Sequence, residues 1–153
     1  MVDFIRLLKK HKIPFALVGG FAVIYYGYPR LTQDIDILID PTPRIAKKMI
    51  KVLEEFGFGG VGFSEKLFRN KGTAVHLGVE PNRIDILTSI TAVSSTEAWE
   101  ERVEVTYADV RVPVIGRQAL IRNKLALGPS QGLARRGIPA TPRPEVGCGQ
   151  SGS

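Results

Sequence analysis

Two aspartates stand inside an apolar run, Asp34-Ile35-Asp36-Ile37-Leu38-Ile39. The alternation and the β-branched residues predict a strand over Thr32 to Ile39, stopped by Asp40-Pro41. In such a strand Ile35 and Ile37 face a core. Asp34 and Asp36 share the opposite face, about 7 Å apart along the backbone. Carboxylates are costly to bury unpaired. The strand therefore belongs in a sheet whose second face meets either water or a cation. Magnesium suits the second case, because it takes one or two carboxylates and completes its shell with phosphate oxygens. An exposed, solvated strand face is the plainer alternative.

The neighbouring residues favour the cation. Phe15 to Val18 reads as a short buried strand, Gly19-Gly20 as a turn, and Phe21 to Tyr26 as a helix closed by Gly27 and Pro29. A bare backbone before a helix lets a phosphate approach closely, although Gly-Gly is also an ordinary turn. Arg30 can pair with phosphate oxygens, and Thr32 stands beside it ahead of the acids. Arg83-Ile84-Asp85-Ile86-Leu87 repeats the pattern of an acid between isoleucines. If its strand neighbours the first, Asp85 adds a third carboxylate, able to ligate a metal or accept the proton of an attacking hydroxyl. A surface ion pair of Arg83 with Asp85 is the alternative. His11 and His76 have no partner at metal-binding spacing and read as surface or structural residues. Tyr25, Tyr26 and Tyr28 read as packing residues.

The remaining elements form one domain over residues 1–127. Val2 to His11 reads as an amphipathic helix ended by Pro14. Thr42 caps a helix from Pro43 to Phe56, with Gly57 at its C-terminal end. Gly59 to Lys71 is glycine-rich and weakly patterned. Thr73 to Val79 and Arg83 to Leu87 read as strands joined at Glu80-Pro81-Asn82. Thr96 to Glu101 is a short helix, Val103 to Val114 a hairpin turning at Ala108-Asp109, and Arg117 to Leu127 a helix that carries Lys124. The fold class expected is α+β: a mixed β-sheet flanked by helices, with the acids at one edge of the sheet.

Charge and composition add limits. The net charge of +6 is a mild bias towards anionic partners such as nucleotides or RNA. The longest apolar run, Phe15 to Tyr28, is too short for a bilayer span, which needs about 20 residues. The first residues lack the apolar core of a secretory signal, and one cysteine, Cys148, permits no internal disulfide. A cytoplasmic protein without a membrane partner is the expectation.

The order Val18-Gly19-Gly20, then Gly27-Tyr28-Pro29-Arg30, Thr32, Asp34-Ile35-Asp36, and later Asn82-Arg83-Ile84-Asp85-Ile86-Leu87-Thr88 resembles the nucleotidyltransferase superfamily, whose fold is shared with DNA polymerase beta. The closer resemblance is to small bacterial and archaeal nucleotidyltransferase-like proteins related to the AbiEii toxins of abortive-infection systems. It runs from the N-terminus to about Leu127. The resemblance implies transfer of a nucleotidyl group from a nucleoside triphosphate to an RNA, protein or small-molecule acceptor. It implies two Mg2+ ions, or Mn2+, on Asp34 and Asp36, with Asp85 completing the catalytic and metal-binding set. Gly19, Gly20, Arg30, Thr32 and Lys124 are the implied substrate contacts, and an antitoxin protein is an implied partner. Gly-Gly replaces the Gly-Ser of many superfamily members, which removes a hydroxyl for phosphate. A nucleotide-binding or regulatory protein without catalysis is the rival reading, and a plain interaction domain the third.

The resembled family continues its last helix with a pattern near Gly-Arg-Pro-Lys-Asp-Leu-x-Asp. Here the residues from Gly128 onward hold six glycines and four prolines in 26 positions, with no apolar periodicity. Codons for this stretch, shifted by one base, can spell the family pattern. Residues 128–153 are therefore expected to be a frameshifted or disordered tail, irregular in structure.

Overall fold

The computed structural model describes residues 2–27, 34–79 and 82–136. Helix α1 (Val2–Lys10) leads into strand β1 (Phe15–Val18), and α2 (Gly19–Tyr25) follows without a loop. Strand β2 (Ile35–Ile39) precedes helix α3 (Pro43–Leu53), helical turns at Glu54–Phe58 and Gly59–Val61, and α4 (Glu65–Arg69). Then come β3 (Ala74–Leu77), β4 (Ile84–Leu87), α5 (Ser95–Glu100), β5 (Val103–Tyr107), β6 (Val110–Val114) and α6 (Arg117–Arg136).

The six strands form one mixed sheet in the order β3-β4-β2-β1-β6-β5. The pairs β1–β2, β3–β4 and β5–β6 are antiparallel, while β2–β4 and β1–β6 are parallel. Register explains why the isoleucines recur. Ile35 pairs with Ile84, Ile37 with Ile86 and with Leu17, and Ile86 with Val75. Side chains paired across neighbouring strands share a face. These residues therefore make one continuous apolar face, and all are buried. Each such aliphatic side chain contributes about 1.5–3 kcal/mol through burial.

The helices add a layer whose largest buried members are Phe4, Ile5, Leu8, Met49, Leu53 and Phe68. Local sequence sets their ends. The Thr42 hydroxyl accepts from the Ile45 N–H at 3.2 Å, and Pro43 opens α3. Gly57, at φ 106°, turns the chain away a few residues later. Ser94 and Glu97 form a reciprocal capping box for α5.

Three expectations change. Asp36 and Asp85 lie on β2 and β4, and Asp34 just before β2, inside the sheet rather than at its edge, because β3 covers the outer side of β4. The Pro43 helix ends at Leu53, and wider helical turns replace its last residues. Residues 129–136, expected to be irregular, continue as helix after a break at Gly128 (φ 82°, ψ 160°). The reason is local. Gly128 takes the non-helical conformation, Pro129 suits the first position of a new helix, and Gln131, Leu133, Ala134, Arg135 and Arg136 are favourable helix residues. Residues 137–153 of the expected tail lie outside the described residues. No described helix is long and apolar enough to cross a membrane.

Candidate active site

The second face of the sheet divides along its length. Ala16, Leu38 and Leu87 are aligned by register at one end, where a cavity of about 550 Å3 opens against Ala98 and Trp99 of α5. That cavity touches none of the predicted site residues. At the other end, a single transverse row crosses four strands. His76 of β3 faces Asp85 of β4, Asp85 faces Asp36 of β2, and Asp36 faces Val18 of β1, the residue before Gly19.

Asp36 is half-buried and lies within hydrogen-bonding reach of the Asp85 carboxyl. Two carboxyl groups can share a hydrogen bond only if one carries a proton. A cation gives the same relief. On the other side, Gly19 sits at φ 62°, and a Cβ there would overlap Asp36 Oδ2. Gly19 and Gly20 are both buried. In this structure Gly19 thus makes room for the Asp36 carboxylate.

Asp34 immediately precedes β2 and is half-buried. Its Oδ1 accepts from the Arg83 N–H at 2.9 Å, while the Ile35 N–H donates to the Arg83 carbonyl at 3.0 Å. These bonds fix the start of β2 against the start of β4, and so hold the aspartates in register.

Asp85 is buried. The Arg83 guanidinium grips it from Nε to Oδ1 at 2.8 Å and from a terminal nitrogen to Oδ2 at 3.1 Å. His76 Nδ1 lies 2.6 Å from Oδ1. Burial pushes the Asp85 pKa up. The hydrogen bonds from His76, Arg83 and Asp36 outweigh that and hold it below the usual carboxylate range. The ion pair expected as the plain alternative therefore exists, but around a buried carboxylate. Thr88 is also buried: its hydroxyl donates to the Asn70 carbonyl at 2.7 Å and accepts from the Thr73 N–H at 2.9 Å, anchoring the far end of β4.

The structure thus brings Gly19, Asp34, Asp36 and Asp85 into one neighbourhood. Lys124 is half-buried on α6, next to Asn123, whose amide donates to the Thr91 carbonyl. Arg30 and Thr32 lie outside the described residues. His76, which reads from the sequence as a surface or structural residue, joins them through the antiparallel register of β3 with β4.

Among the described residues, no group of three or more His, Cys, Asp or Glu side chains is gathered to hold a metal ion. The donor set still fits magnesium, which needs only one or two carboxylates and draws its other ligands from substrate and water. Asp34 and Asp36 fit that role. Asp85 enters it only by giving up Arg83 or His76.

No protein-family model and no curated protein matches the sequence. Among solved structures, a protein of Thermotoga maritima provisionally assigned as a nucleotidyltransferase is similar. It is 18% identical, covers 82% of this chain over 85% of its own, and superposes with a TM-score of 0.55. The likeness shows the fold: this chain has a nucleotidyltransferase-like mixed sheet flanked by helices.

Proposed function

We propose that the protein is a magnesium-dependent nucleotidyltransferase, moving a nucleotidyl group from a nucleoside triphosphate to a hydroxyl acceptor on RNA, protein or a small molecule. One observation carries this reading: Asp36 and Asp85 are register partners whose carboxyl groups meet on one face, beside a glycine that leaves room for Asp36. A site that forces two acids together is suited to a cation bound with substrate phosphates.

In this reading Asp34 and Asp36 hold the magnesium. When bound, the metal supplies charge that stabilises the triphosphate and the departing pyrophosphate. The chain's own part is positioning. The Arg83 N–H fixes Asp34, Gly19 leaves space for Asp36, and Arg83 and His76 orient Asp85. Lys124 and Arg30 remain proposed phosphate contacts. A cytoplasmic setting, and an antitoxin-like partner as in the resembled toxins, are the corresponding biological proposals.

A second reading has its own support. Asp85 is held by Arg83 and His76 and kept ionised, which makes it a weak proton acceptor. That favours a protein that binds magnesium and a triphosphate without turnover. Incubation with α-labelled triphosphates, magnesium and total RNA and protein separates the two. Label transfer with pyrophosphate release supports the enzyme; saturable binding without release supports the binder.

A further inference from the structure

The transfer proposed above, on which this inference rests, needs a group to receive the proton of the attacking hydroxyl. Asp85 is poorly available for it, since Arg83 and His76 engage both its oxygens. The row of paired residues offers another group. His76 lies on the edge strand β3, in direct register with Asp85. Its side chain is 54% exposed against 8% for the Asp85 side chain. The Asp85 carboxylate is already paired with a guanidinium and acts only as an acceptor, so His76 Nδ1–H donates to it at 2.6 Å. A neutral ring with its hydrogen on Nδ1 carries its lone pair on Nε2. A carboxylate that fixes the ring in this tautomer is the arrangement by which histidine serves as a base.

We propose that His76 is the acceptor-contacting residue, with Nε2 receiving the proton of the acceptor hydroxyl. In the step, the acceptor oxygen forms a bond to the α-phosphorus and the bond from that phosphorus to the bridging oxygen breaks. Pyrophosphate leaves with the electron pair. The hydroxyl proton passes to Nε2, the resulting imidazolium is stabilised by Asp85, and the proton returns to solvent. Asp85 is then a positioning residue. A base on β3 restricts the acceptor to a hydroxyl that reaches the β3 edge of the sheet.

The test compares wild type with His76→Gln and His76→Ala, using α-labelled triphosphates, magnesium and total RNA and protein as acceptors. Both variants are expected to keep magnesium–ATP affinity within about twofold and to lose label transfer by on the order of 100-fold, the usual scale for a lost base. The chain has two histidines, so ring 15N spectra of the wild type, assigned with His76→Gln, report the tautomer directly. A hydrogen on Nδ1 of His76 is expected. Transfer by His76→Gln at the wild-type rate, or a hydrogen on Nε2, overturns the inference and leaves the transferase reading standing. Absence of transfer by the wild type overturns both.

Discussion

Gly19 and Asp36 occupy complementary space: the side chain that Gly19 lacks would stand where Asp36 Oδ2 lies. The glycine is also left-handed, at φ 62°. Alanine there costs about 1–2 kcal/mol for the backbone alone, and the overlap adds to it by displacing Asp36. Gly72 is the control, since it is left-handed at φ 82° with open space around it. Gly19→Ala is expected to lower the melting temperature more than Gly72→Ala does. Gly19→Ala should also weaken magnesium–ATP binding by calorimetry, while Gly72→Ala leaves it unchanged.

Asp36 and Asp85 crowd like charges, so their contact is relieved by a proton or a cation. Asp36→Asn keeps a hydrogen-bond donor towards Asp85 and removes one charge. Without metal, the variant is expected to melt at or above the wild-type temperature. Magnesium with ATP should raise the wild-type melting temperature and leave that of the variant unmoved. Equal stabilisation of both would remove Asp36 from the proposed metal site.

Acid should act through Asp85. Its folded pKa lies below the unfolded value, so its contribution to stability is complete above the ordinary carboxylate range. That contribution is lost as pH falls through the folded value. Urea titrations of metal-free protein should show wild-type stability dropping below about pH 4. The drop should be shallower for Asp85→Asn, which starts less stable because Arg83 loses its buried partner.

The strands were legible because their signals are local. Alternation gave β5 and β6, and Ala108 and Asp109 both take positive φ in the turn between them, at 48° and 69°. The acids stood out because carboxylates are rare among isoleucines. The parallel pairing of β2 with β4 was not legible as such; it joins segments 49 residues apart and depends on the whole sheet. The space that Gly19 leaves for Asp36 is not legible locally, since Asp36 comes from β2, later in the chain. His76 has no partner at metal-binding spacing along the chain, and its contact with Asp85 comes from the antiparallel pairing of β3 with β4.

Asp36 is proposed as part of a nucleotidyl-transfer site. The direct measurement is magnesium-dependent transfer of α-phosphate label from nucleoside triphosphates to total RNA or protein, run beside Asp36→Asn of matched circular dichroism. The wild type is expected to give labelled acceptor and released pyrophosphate, and Asp36→Asn to lose both. Retained transfer by Asp36→Asn, or triphosphate binding by the wild type with no transfer to any acceptor, would contradict it.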